Sequence, residues 1–173
     1  TYEWFVSNPI NNYNISVQIG NYVAVQDTFI KDNTIHNMNH YVLDYNKELA
    51  SNYFTQSKEV IRFYEKYFGD YQWYEDGYKL IEVPYLGMEH QSAVTYGNGF
   101  SIYNGVRSKS WPMYGVIDPL IIHETGHEWF GNSVTASDPT HIWIHEGLQV
   151  YSEAIYFEDK FNSYEVGVHY LNT

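Results

Sequence analysis

The sequence predicts an α+β fold: a strand-rich opening, a small mixed sheet, and helices gathered towards the end. Three observations point there. The first 46 residues read mostly as strand and turn, with Ile15, Val17 and Ile19 alternating with polar neighbours. From Lys47 the apolar spacing becomes helical. Past residue 118 two further helical stretches follow one another, separated by Asp138-Pro139.

Taken in order, Pro9 among asparagines marks a turn. Ile15, Val17 and Ile19 alternate before Gly20, and Tyr22–Val25 and His36–Leu43 read as further strands. Leu49, Tyr53, Ile61, Tyr64 and Phe68 place one helix over Lys47–Phe68, with Gly69 as its stop. Tyr78–Val83 reads as a strand ended by Pro84, Phe100–Tyr103 as another, and Ser108–Tyr114 as a loop. Asp118 caps a helix whose first position is Pro119, and this helix is expected to run on to the Asp138-Pro139 break. A last helix is expected from about His141 to Phe157.

The chain has 173 residues, 44% hydrophobic and 19% aromatic, which supports a packed core and argues against disorder. Its net charge of −12 rests on 9 basic residues, too few to form the positive footprint that nucleic acid or an anionic membrane requires. The absence of cysteine excludes disulfides, thiolate metal sites and cysteine nucleophiles. No apolar run is long enough to span a bilayer. Beginning at Thr1 without a methionine or an apolar leader, the chain reads as a piece of something longer, and its compartment is left open.

The strongest chemical signal is His123-Glu124-Thr125-Gly126-His127, an H-E-x-x-H motif, with Glu146 eighteen residues further on. On a helix, positions i and i+4 share a face, so His123 and His127 can grip one metal from consecutive turns. Glu146, on the following helix amid apolar neighbours, supplies a third ligand. Two imidazoles and a carboxylate leave one position of a single Zn2+ ion open, which marks a catalytic centre. Glu124 stands beside the ligands as the general base for a water activated by zinc, and the reaction class is amide or ester hydrolysis. Asp138 and Glu153 are candidates to orient the ligating histidines. His36 and His40 lie about 13 Å apart in an extended segment, too far to share an ion. They are expected as surface or cross-strand residues, and His141 and His145 as capping or surface residues.

A second motif, Leu86-Gly87-Met88-Glu89-His90, follows the strand that stops at Pro84. With it, the run His123–Thr135 (H-E-T-G-H-E-W-F-G-N-S-V-T) and Trp143-Ile144-His145-Glu146-Gly147, the chain resembles the aminopeptidase N-like zinc metallopeptidases, the gluzincin family that includes leukotriene hydrolase. Leu86 and His90 depart from that family's common G-x-M-E-N pattern.

The resemblance implies a fold and a set of roles. Residues 1–46 would be the end of an N-terminal β domain, and 47–173 an incomplete thermolysin-like catalytic domain. Glu89 would bind the free α-amino group of a peptide substrate, with Gly87 and Met88 beside the substrate backbone. The transition-state tyrosine would fall beyond Thr173, leaving Tyr151, Tyr156, Tyr164 and Tyr170 as packing residues. The implied function is a zinc aminopeptidase acting on peptides with a free amino terminus. The alternatives are a zinc-binding module of a truncated or non-catalytic homologue, and a thermolysin-type endopeptidase.

Overall fold

The computed structural model describes residues 3, 5–101 and 117–172. The described residues form a five-stranded mixed sheet with helices following it in the chain. The strands are β1 (Tyr22–Lys31), β2 (Thr34–Leu43), β3 (Lys79–Glu82), β4 (Gly87–Met88) and β5 (Ala93–Tyr96). The helices are α1 (Lys47–Tyr53), α2 (Gln56–Phe68), α3 (Pro119–Gly126), α4 (Trp143–Phe161) and α5 (Tyr164–Leu171).

The sheet order is β1-β2-β3-β5-β4. β1 and β2 form a hairpin whose turn is Asp32-Asn33, both left-handed, the conformation that a tight two-residue loop demands. β2 and β5 each run parallel to β3, whereas β4 returns antiparallel to β5. The sheet thus crosses residue 46 without interruption. Glu82 strengthens that junction: its carboxylate accepts from the Leu43 backbone N–H (2.8 Å) and the Asn46 amide (2.6 Å).

Four features differ from the sequence expectation. Ile15, Val17 and Ile19 form no strand and stand exposed, because among the described residues no neighbouring strand supplies the ladder that an alternating pattern needs. The helix expected over Lys47–Phe68 is two helices broken at Phe54-Thr55. There the Thr55 hydroxyl donates to the Asn52 carbonyl (2.7 Å) and the Ser57 hydroxyl to that of Phe54 (2.7 Å), diverting acceptors from a continuous helix. Ala93–Tyr96 is a strand with no signal of its own, since it pairs on both sides and needs no polar alternation. Finally, α3 stops at Gly126 and does not continue towards Asp138. Gly131, at φ 135, turns the chain back, and Gly131 N–H bonds the Val134 carbonyl (3.0 Å). The expected strand over Phe100–Tyr103 lies partly outside the described residues, and the loop Ser108–Tyr114 wholly so.

The core is aromatic. Tyr64, Trp129, Phe63, Tyr156 and Phe157 pack where α2, α3 and α4 meet, with Tyr64 stacked on Trp129 at 4.9 Å between ring centroids. Close approach of these helices depends on Gly126: a Cβ there would stand 2.0 Å from the Tyr64 hydroxyl and 2.2 Å from Gln149 Oε1. Tyr156 and Tyr170 are buried as expected, whereas Tyr151 and Tyr164 are exposed.

Candidate metal centre

Asp118 starts the helix that carries the motif, its carboxylate accepting from Leu120 N–H (2.9 Å) with Pro119 at the first position. His123 lies within α3 and His127 just past its end, still in helical conformation, with His127 N–H bonded to the His123 carbonyl (3.3 Å). The i, i+4 relationship therefore survives the helix end. Glu146 enters from the first turn of α4, where Pro139 and the 3-10 turn Pro139–His141 fold the chain back.

The three ligand candidates converge. The Nε2 atoms of His123 and His127 are 3.1 Å apart, and Glu146 Oε2 lies 3.6 and 3.7 Å from them. A tetrahedral zinc ion with ligands at about 2.0–2.1 Å requires ligand atoms separated by roughly 3.3 Å. The observed triangle has those dimensions. The rings are oriented from behind: His123 Nδ1 bonds Glu153 Oε1 (2.6 Å) and His127 Nδ1 bonds the Phe130 carbonyl (2.8 Å). With each Nδ1 engaged from behind, the two Nε2 atoms face one another at a distance that one shared proton or one cation between them satisfies. The donor set fits zinc, which accepts imidazole and carboxylate together.

Of the two residues expected to orient the histidines, Glu153 does so and Asp138 does not. Asp138 is exposed and caps its own turn, accepting from Thr140 N–H (2.8 Å). Glu153 is 3% exposed, and its second oxygen accepts from the Tyr170 hydroxyl. His145 is buried rather than superficial, its Nε2 accepting from Ala136 N–H (2.9 Å), while His141 is exposed. His40 too is buried, its Nδ1 accepting from Leu80 N–H (3.0 Å).

Glu124 is 7% exposed. Burial raises its carboxyl to about 8; His123 opposes that rise, and Glu89, Glu146 and Glu153 add to it. Burial alone would lower His123, but the hydrogen bond and charge of Glu153 outweigh it and carry the imidazole up to about 9. Four carboxylates crowd two imidazoles, and a divalent cation at the imidazole pair would relieve the repulsion.

Glu89, at the end of β4, joins this cluster. Carboxylate oxygens of Glu89 and Glu124 and an imidazole nitrogen of His127 all lie within 4.8 Å of one another. Gly87 lies directly over Glu124, where a Cβ would stand 2.6 Å from Oε1. The glycine thus makes room for the general-base candidate as well as for any ligand. Met88, its neighbour on β4, is half-buried and paired with Thr95. No sequence signal points to Tyr13 and Asn14. Their 3-10 turn docks on the site, Asn14 Nδ2 donating to Asn132 Oδ1 (2.8 Å) and the Asn14 carbonyl meeting His90 Nδ1 (3.0 Å).

The small mixed sheet followed by helices that carry two histidines and a glutamate is similar in fold to a solved zinc metallopeptidase. The M1 zinc metallopeptidase of Deinococcus radiodurans superposes with a TM-score of 0.61 at 18% identity, covering 82% of this chain and 29% of that one. Legionella pneumophila aminopeptidase A in complex with aspartic acid gives 0.64 at 18% identity, covering 81% and 17%. The model of the peptidase family M1 domain matches residues 52–173, and the chain belongs to that family. Endoplasmic reticulum aminopeptidase 2 of Homo sapiens is 30% identical over 123 residues, 67% of this chain and 12% of the relative. Aminopeptidase M1 of Arabidopsis thaliana is 28% identical over 85 residues, 49% and 10% respectively. The chain thus spans about a tenth of the length of these two relatives. Among the described residues no helix is long and apolar enough to cross a membrane.

Proposed function

We propose that this chain carries the metal centre of a zinc aminopeptidase that hydrolyses the first peptide bond of substrates with a free amino terminus. The observation that supports it best is the placement of Glu89: a buried carboxylate beside the general-base candidate and one ligand histidine, at the end of a short strand.

His123, His127 and Glu146 would hold one zinc ion. Zinc, when bound, polarises the scissile carbonyl and eases deprotonation of the attacking water. Glu124 takes that water's proton and delivers it to the departing amine. Glu89 pairs with the substrate's terminal ammonium, which holds the first carbonyl at the metal centre. Gly87 and Met88 offer a strand edge for the substrate backbone, and burial around Glu124 excludes bulk water. A blocked amino terminus would leave Glu89 buried without a partner, a penalty of several kcal/mol for an uncompensated charge. This distinguishes the proposal from a thermolysin-type endopeptidase, which has no use for an amine anchor. Peptides with free amino termini are accordingly the partner class.

The deciding experiment is hydrolysis of one aminoacyl-anilide by the zinc-loaded protein, with the amine free and with it acetylated. Cleavage of the free form alone supports the aminopeptidase. Equal cleavage of both would replace it with an endopeptidase-like reaction, and cleavage of neither with a zinc-binding module.

A further inference from the structure

Glu128 follows the second histidine of the motif and has no role in the mechanism above. It is 1% exposed, yet every one of its described partners is a donor. Oε1 accepts from the Ser92 backbone N–H (2.7 Å) and the Tyr71 hydroxyl (3.4 Å). Oε2 accepts from Asn132 Nδ2 (3.1 Å), which donates also to the Glu89 carbonyl (2.9 Å). The loop from Glu89 to Ser92 is therefore tied to Glu128 at both ends, through Asn132 at its start and directly at its finish.

That loop needs a clamp. Ser92 sits at φ 57, a left-handed conformation that costs a non-glycine residue about 1 kcal/mol or more. Such geometry persists where its surroundings over-determine it. Here Lys79 Nζ reaches the Ser92 carbonyl (3.4 Å) while Glu128 holds its N–H. Because Glu128 is bonded in sequence to His127, whatever fixes the loop to Glu128 fixes it to a metal ligand.

We propose that Glu128, acting with Asn132, is the positioning residue that sets the distance between the amine anchor and the metal centre, and so confines cleavage to the first peptide bond. The proposal rests on the aminopeptidase reading and adds the device that keeps its register. A misplacement near 1 Å at such a site is enough to cost about a hundredfold in rate.

The test is Glu128→Gln, which keeps the volume but turns one acceptor into a donor, so that either amide orientation sets N–H against N–H. Zinc content, melting temperature, and kcat and KM for the free and acetylated anilides are measured for zinc-loaded wild type and variant. The expected result is full zinc occupancy, a KM for the free amine raised about tenfold, and a preference for free over acetylated substrate reduced at least tenfold. Asn132→Ala, which cuts the other tie, should shift the same ratio in the same direction, and it decides the matter if Glu128→Gln does not fold. A merely structural carboxylate would lower the melting temperature and leave the preference within twofold of wild type, which overturns the proposal. If wild type itself shows no preference for the free amine, the aminopeptidase reading falls first. A preference in wild type that both variants retain removes only the role of Glu128.

Discussion

Each of the two histidines at this centre is held from behind by a group of its own. Glu153 aligns His123 through a 2.6 Å bond and is aligned in turn by Tyr170, while His127 is aligned by a backbone carbonyl that no substitution removes. The two histidines should therefore respond differently to mutation. Glu153→Gln is expected to weaken zinc affinity by about 10–100-fold, read by competition with a chelating indicator. Glu124→Gln should behave in the opposite sense: zinc binds with undiminished affinity while turnover on the free aminoacyl-anilide disappears, because the variant retains the shape and lacks the base. Measurable turnover in that variant would dismiss Glu124 from its role. Much of this residue scale was legible in the sequence, since metal ligands on a helix obey a fixed spacing. Glu128 and Asn132 were not, because their work is done for Ser92 and Glu89, about 40 residues earlier in the chain, and no local spacing encodes that meeting.

At the scale of elements, the sheet and the helices are joined by buried polar groups as well as by apolar packing. On β2, His40 accepts the Leu80 N–H of β3 and is enclosed by Phe54 and Tyr78. Burial depresses its imidazole to about 4. Below the ordinary histidine range the unfolded chain binds a proton that folded His40 does not, so stability falls as pH drops from about 6.5 to about 4. The loss across that window is on the order of 3 kcal/mol. Urea denaturation at pH 7 and pH 4.5 should show it, and a His40→Gln variant should lose that part of the pH dependence. Helix packing depends on Gly126 in a comparable way, since a methyl group there meets Tyr64 and Gln149, and overpacking of this kind costs about 1–3 kcal/mol. The sequence indicated that α2 and α3 exist. It did not indicate that α2 begins after a break, because hydroxyl capture by Thr55 and Ser57 leaves the apolar periodicity intact.

For the molecule as a whole, the metal centre is a junction. Its ligand candidates come from α3, the residue just past it and α4, the proposed amine anchor Glu89 follows β4, and the turn at Tyr13-Asn14 docks beside them. A zinc ion would link the two helices in the folded state alone, so zinc at a hundred times its dissociation constant should stabilise the protein by about 2.7 kcal/mol. Calorimetry with and without a chelator measures this directly, and an unchanged melting temperature would mean that the three residues do not close on an ion. The net charge of −12 acts in the same direction, since a bound dication offsets part of the repulsion among the gathered carboxylates.

The sequence by itself determined which candidate groups to look for: His123, Glu124 and His127 at helical spacing, Glu146 on the next helix, and a second motif around Glu89. It could do so because ligand geometry on a helix is local, and because Asp118-Pro119 and Asp138-Pro139 mark where helices begin. Only the tertiary structure decided how far the zinc helix runs, that Ile15–Ile19 stays unpaired, that Glu153 rather than Asp138 orients His123, and that Gly87 yields its space to Glu124. Those outcomes depend on strand partners, on buried donors that must be satisfied, and on which distant atoms compete for the same volume. They are properties of contacts between segments far apart in the chain, which periodicity and spacing along it do not contain.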